Sequence, residues 1–372
     1  MSPQTPDSWR DLFSPCEPGN ARAVVELHLV RRAGQPFLLL PPMPRLAAKS
    51  LALYPAQTGK ARAAKLLLGL ALRTGIKFRL EKVSLPVAAD DSFAAFLTQT
   101  ANLPPETLPP FAMLAGNPRT AGRRFVVMVF GASGEPAAVV KAGGHEAARR
   151  LVAREQAFLQ AAPPQTSGVP QLRGTFHSPR AQAFATDFFA GHSPGLNEAT
   201  PPAELLTSWV AANRLVTVKE LDAWQQLASA SSEGPLPKVV RELAGARFHP
   251  ALAHGDFAPW NVKVWRGRWT FLDWERGVLA GLPGWDWFHF VIQPAVLVRR
   301  EPTLKLLARL EQLLASDSFV RYARHAGISG AERALALAYL SHCTRVIKQT
   351  EGLDRVERLE HAARQRWFPI PG

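Results

Sequence analysis

Cysteine is almost missing from this 372-residue chain. The two present, Cys16 and Cys343, stand far apart in sequence and in different expected modules, so neither a disulfide framework nor a thiolate metal site is indicated. Long apolar runs are missing too. The longest, LLLGLAL at residues 66–72, is far too short to cross a bilayer. No amino-terminal stretch joins a basic start to a long apolar core, so no signal peptide is expected and the cytoplasm is the expected compartment. Internal repeats and low-complexity segments are absent. With 47% hydrophobic and 20% charged residues, the chain can bury a full core in two or three domains. Disorder is expected only within the first ~20 residues, which are polar and proline-bearing.

Negative charge is also scarce: 30 Asp and Glu face 44 Lys and Arg, for a net charge of +14. Such a surface attracts anions, whether phosphates, lipid headgroups or an acidic small molecule. Its aromatics do not interleave with basic residues as in a single-strand groove, and no nucleic-acid motif occurs, so specific nucleic-acid binding is not expected. An anionic ligand or surface on the basic face remains as a partner class.

What is present gathers in AHGDFAPWNVKVWRGRWTFLDWERG, residues 253–277. Asn261 follows Asp256 by five positions, and Asp273 follows by twelve more. Phosphoryl transfer asks for alignment and charge neutralisation rather than covalent work by the protein. In this pattern Asp256 would accept or orient a hydroxyl proton. Asn261 and Asp273 would offer hard oxygens to Mg²⁺, with nucleotide phosphates and water completing its shell. His254 reads as structural, its ring bonding to backbone or carboxylate so that the His-Gly-Asp turn is fixed, and Gly255 permits that turn. A solvated polar loop between hairpin strands is the bland alternative.

HGDFAPWN followed by LDWE resembles the catalytic loop and metal-binding segment of the aminoglycoside phosphotransferase and choline kinase family, relatives of the protein kinases. The resemblance implies a Lys on a strand for the nucleotide phosphates and a Glu on the next helix to hold it. PAAVVKAG (136–143) ends a β-branched run at Lys141, and EAARRLVAREQAFLQAA follows with Glu155, or less well Glu146, as partner. Gly116 and Gly122 flank Asn117, Pro118 and Arg119 in a loop that could lie over phosphates, but it lacks the dense glycines of protein kinases, and a plain hairpin loop fits nearly as well. AQAFATDFFAGHSPG (181–195) resembles the family's hinge between lobes, with Thr186, Asp187 and Phe189 at the adenine, or else an ordinary buried strand. Asp286 in GLPGWDWFHFVIQ matches the family's buttress of the catalytic loop.

Six tryptophans lie between 260 and 287, and packing is the simpler reading for the set. Trp260 and Trp274, each beside a proposed metal ligand, and Glu275 are candidates for substrate contact. Residues 203–230 carry apolar residues at helical spacing with β-branched residues in the middle, while 304–315 and 331–349 are stronger amphipathic helices. Upstream, ARAVVELHLVRRAGQPFLLLPP reads as a hairpin, GKARAAKLLLGLALRTG as a basic helix buried on its leucine face, and IKFRLEKVSL as a strand.

The expected fold is therefore α+β: a two-lobed protein-kinase-like fold with an antiparallel-sheet N-lobe (105–190) and a mostly helical C-lobe (191–372), after a small α/β extension (1–104). The expected activity is ATP- and Mg²⁺-dependent phosphorylation of a small-molecule hydroxyl, with GTP left open as donor. A basic protein repels polycations at long range, so a neutral or acidic acceptor such as a sugar or glycan precursor is preferred to an aminoglycoside. A silent kinase-like binding module is the other alternative, and the filled chemical positions argue against it.

Overall fold

The computed structural model describes residues 9–32, 34–54, 59–73, 80–116, 122–195, 200–230, 234–348 and 351–369, with side chains left out for 59–62. Asn117, Pro118 and Arg119 lie outside the described residues. The chain divides into two units, Met1–Gln160 with Pro170–Phe189, and Ala161–Val169 with Ala190–Gly372.

The first unit is built on one antiparallel sheet. Its strands are β1 (Ala23–Arg32), β2 (Gln35–Leu40), β3 (Glu81–Val87), β4 (Phe111–Ala115), β5 (Phe125–Phe130), β6 (Pro136–Gly143), β7 (Leu172–His177) and β8 (Gln182–Asp187), in the order β3-β1-β2-β4-β5-β6-β8-β7. Its helices are α1 (Pro44–Ser50), α2 (Gly59–Arg73), α3 (Ser92–Thr100) and α4 (Glu146–Ala161). Two-residue alternation sends side chains to opposite faces. Val127 and Val129 of β5, with Val140 and Ala142 of β6, enter one core with Phe93, Phe96 and Leu97 of α3. Met128 and Phe130 pack on the other face with Ala112 and Leu46.

The first hundred residues extend this sheet, because β2 pairs with β4 through Leu38–Leu114 and Leu39–Met113. The boundary expected at residue 104 thus falls inside one sheet. Two expectations are corrected. Trp9, Leu12 and Phe13, in the stretch expected to be disordered, are buried in the core, where their large apolar area outweighs the polar composition around them. In α2, Leu72 is buried but Leu66, Leu67 and Leu70 are 75%, 68% and 60% exposed, since leucines at 66, 67 and 68 span too wide an arc for one buried stripe.

The second unit is mostly helical. Its longer helices are α8 (Trp285–Leu297), α9 (Thr303–Ala315), α10 (Asp317–Ala326), α11 (Glu332–His342) and α12 (Leu353–Trp367), after the shorter α5 (Ala203–Ser208), α6 (Asp222–Ser229) and α7 (Lys238–Glu242). The helical reading of 203–230 is interrupted: β9 (Val216–Thr217) pairs with β10 (Arg247–Phe248), where β-branched residues favour extended backbone. The longer run at 331–349 leaves the α-helix at Cys343, where a π-helical turn runs to Ile347. β11 (Ala251–Ala253) pairs with β14 (Val278–Gly281), and β12 (Val262–Trp265) forms a hairpin with β13 (Arg268–Phe271). Its two-residue turn, Arg266 and Gly267, has φ of 49° and 77°, the left-handed pair that matches strand twist. Among the described residues, no helix is long and apolar enough to cross a membrane.

Candidate active site

In the first unit, alternation along β6 puts Lys141 on the face opposite Val140 and Ala142. The buried positions of α4 are Ala148, Val152, Glu155, Phe158 and Leu159, so Glu155 is a carboxylate set into an apolar stripe. Strand and helix meet closely where they join: a Cβ on Gly143 would stand 2.6 Å from the carbonyl carbon of Ala148. Lys141 Nζ donates to both Glu155 oxygens, at 2.7 and 2.9 Å. Glu146, the weaker sequence candidate, accepts from Arg150 instead. In β8, Thr186 is buried between β6 and β7, Asp187 lies 3.3 Å from Arg173, and Phe189 is half-buried just past the strand.

In the second unit, β11 delivers the chain into His254-Gly255-Asp256. Gly255 has φ of 76°, and a Cβ there would stand 2.8 Å from Arg276, so glycine is required both for the turn and for the neighbour. Asp286, in the first turn of α8, accepts from the backbone N–H of His254 at 2.8 Å and of Gly255 at 3.2 Å. Burial raises its carboxyl to about 6 against the pull of those two N–H groups. The fully buried His254 ring lies 2.8 Å from the Leu272 carbonyl through Nε2 and accepts from Asp256 N–H at Nδ1. A carbonyl can only accept, so the ring proton is on Nε2. Burial pushes this imidazole down to about 4, which keeps it neutral.

Both Asp256 oxygens are engaged. Asn261 Nδ2 donates to Oδ2 at 2.9 Å and also to the Asp256 carbonyl, and His289 Nε2 lies 3.1 Å from Oδ1. The side chain is still 36% exposed, so one edge of the carboxylate faces outward. Burial works to raise the Asp256 carboxyl, but the His289 hydrogen bond and, more weakly, the Arg276 charge hold it well below the usual carboxylate range. The group is a carboxylate at any physiological pH.

The amide nitrogen of Asn261 is spent on Asp256, which leaves Oδ1 as the side-chain atom able to meet a cation. Leu272 N–H donates to the Asn261 carbonyl at 2.7 Å, and the β12–β13 register pairs the flanking Val262 and Phe271, so Asn261 and Asp273 leave the same end of one hairpin. Asp273 is left-handed, with φ of 68° and ψ of 56°, an unfavourable backbone for a non-glycine residue. An amide oxygen and a carboxylate suit a hard cation such as Mg²⁺, with phosphates and water supplying the rest of its shell.

Trp274 is corrected as a substrate contact. It is wholly buried, donates to the Phe271 carbonyl at 2.8 Å, and packs on His254 at 4.5 Å and Trp209 at 5.4 Å. Trp260 and Glu275 are half-buried. The sequence does not mark His289 or Tyr339 as site residues. His289 follows Asp286 by three residues, one turn of α8, a spacing that sets both on the face presented to the loop and could have flagged it.

No protein-family model matches the sequence, and no curated protein sequence matches it. Among solved structures, an ethanolamine kinase from Plasmodium vivax aligns at 9% identity over 85% of this chain and 93% of that one, with a TM-score of 0.44. A choline kinase from Cryptosporidium parvum aligns at 11% identity over 69% and 88%, with a TM-score of 0.41. An aminoglycoside phosphotransferase in complex with ADP and hygromycin B aligns at 13% identity over 73% and 98%, with a TM-score of 0.43. At such identities and scores, what this site can do follows from its own residues.

Proposed function

We propose that this protein is an ATP- and Mg²⁺-dependent phosphotransferase that moves the γ-phosphoryl group to a hydroxyl of a small molecule, a sugar or glycan precursor. The observation that carries the reading is the Asp256 carboxylate, charged, fixed through both oxygens by Asn261 and His289, and open on one edge. Asp256 orients the acceptor hydroxyl and takes its proton as the oxygen–phosphorus bond forms. Asn261 and Asp273 would hold Mg²⁺, which would supply charge neutralisation at the phosphate oxygens. In the first unit, Lys141, steadied by Glu155, is assigned to the nucleotide phosphates, and Thr186, Asp187 and Phe189 to the adenine. His254 and Asp286 keep the loop backbone in place.

Arg276 adds positive charge near the base. Its backbone abuts Gly255, its side chain is exposed, and its charge reaches Asp256, His342 and Cys343. A cation beside the base favours a neutral or acidic acceptor over a polycationic aminoglycoside.

The test is incubation of the purified protein with ATP, Mg²⁺ and a panel of sugars, amino alcohols and aminoglycosides, followed by mass. Gain of one phosphate by a neutral or acidic hydroxyl compound supports the reading. Transfer that persists unchanged in Asp256→Asn and Asp273→Ala removes it.

A further inference from the structure

His289 is a buried polar side chain on α8 with a partner at each ring nitrogen. Nε2 lies 3.1 Å from Asp256 Oδ1, and Nδ1 lies 3.1 Å from the Tyr339 hydroxyl on α11. Chemistry fixes the direction of the first bond, and the second follows from it for a neutral ring. A carboxylate has no proton to donate, so Nε2 carries the hydrogen toward Asp256. In the neutral ring Nδ1 is then the bare nitrogen, and Tyr339, a phenol that burial keeps protonated and whose hydroxyl also meets Cys343 and Gln293, stands 3.1 Å away as the donor able to reach it. Further contacts hold the geometry: the Tyr339 ring packs on Trp285 and Phe288, and α8 is anchored to the loop through the two hydrogen bonds that Asp286 accepts.

We infer that Tyr339 and His289 form a positioning pair for Asp256, in which the Tyr339 hydroxyl selects the ring tautomer that presents an N–H to Oδ1. The inference rests on the reading of Asp256 as the base that receives the acceptor proton. Asn261 fixes one oxygen of that carboxylate from within the loop. His289 fixes the other from a helix, so the carboxylate cannot rotate away from an incoming hydroxyl. No proton passes through the pair, because Nε2 already holds one. Its contribution is orientation, which acts on the chemical step and leaves nucleotide binding alone.

Two measurements on the full chain test this. The first is ¹⁵N NMR of protein labelled at histidine, with the His289 signal assigned by its loss in His289→Gln. A ring protonated at Nε2 with a bare Nδ1 is expected, and Tyr339→Phe shifts it toward a tautomer mixture. A bare Nε2, or a ring indifferent to Tyr339→Phe, overturns the inference. The second uses Mg²⁺-ATP hydrolysis, with water as the acceptor. His289→Leu lowers kcat roughly 10- to 100-fold with KM for ATP unchanged, while His289→Gln, which keeps an N–H where Nε2 stood, recovers most of the loss. Unchanged kcat in His289→Leu, a change confined to KM, or no rescue by His289→Gln contradicts it. If the wild-type protein neither binds nor hydrolyses ATP, the phosphotransferase reading fails, and the NMR result still decides the hydrogen-bond arrangement.

Discussion

Lys141 and Asp256 are the charged centres of the two units, and they are held by different means. Lys141 has a short-range support: a strand, a glycine-bearing turn and the helix that follows bring Glu155 to it from 14 residues away. Asp256 has Asn261 close by in the loop, but the rest of its support comes from afar, from Asp286 through the backbone before it, 31 and 32 residues on, and from His289, 33 residues on. Local support is carried by the order of elements along the chain. Distant support depends on how helices pack, and it distributes the task over several groups.

That difference predicts how each centre fails. Asp256→Asn removes the charge that receives the proton while keeping the shape, so transfer falls roughly 10²- to 10⁴-fold with thermal stability retained. Steady-state turnover and a melting curve on the same sample check both halves. A loss of turnover that tracks loss of fold would erase the distinction between chemistry and support.

Lys141→Met should fail in both respects at once. It strips the buried Glu155 carboxylate of its two short bonds, which costs about 3–5 kcal/mol of stability, and it lowers ATP-dependent turnover. In the double variant Lys141→Met, Glu155→Leu, the denaturation midpoint recovers and turnover does not. Recovery of both would show that Lys141 is only structural.

Asp286→Ala isolates the distant support. It removes the acceptor from two backbone N–H groups, a loss of about 1–3 kcal/mol for each donor left unsatisfied. Denaturant unfolding should show the destabilisation, and kcat should fall because the loop before Asp256 loosens. Full activity with full stability would mean that His254 holds the turn alone.

The smallest effect concerns pH. His254 and His342 titrate near 6.5 when unfolded and are pushed by burial to about 4 in the fold, so the stability they contribute is present above pH 6.5 and is lost as pH falls toward about 4. Asp286 has the opposite sign: raised from 3.8 to about 6, its contribution is present below pH 3.8 and lost as pH rises through about 6. His342→Phe removes one acid-sensitive group, so its denaturation midpoint should drop less than the wild type's between pH 7 and pH 5. Parallel pH profiles would contradict the assignment.

The same contrast explains what is legible in the sequence alone. β6 and α4 are legible because Val139 and Val140 before Lys141, and the stripe through Val152, Glu155 and Leu159, declare strand and helix by period. The Asp256 to Asp273 spacing is legible because a single hairpin connects the residues. His289 and Tyr339 were not, since nothing in the letters states that α8 and α11 bring them to one carboxylate. The role of Trp274 was misread for a related reason: an aromatic beside a ligand position looks the same in sequence whether it faces substrate or fills the core, and its packing on His254 and Trp209 decides the matter. The first hundred residues looked separate because their strands carry no chemistry, while β2 pairs with β4 all the same.

The central claim is that the Asp256 carboxylate serves transfer of a phosphoryl group from ATP to a hydroxyl. It is tested most directly by supplying ATP labelled in its γ-phosphoryl group, with Mg²⁺ and a hydroxyl compound that gains phosphate, and comparing the wild-type protein with Asp256→Asn. The account predicts that the label appears in the product with the wild-type protein and nearly vanishes with Asp256→Asn, although both bind ATP. Equal labelling by the two proteins, or product phosphate without the label, would contradict it.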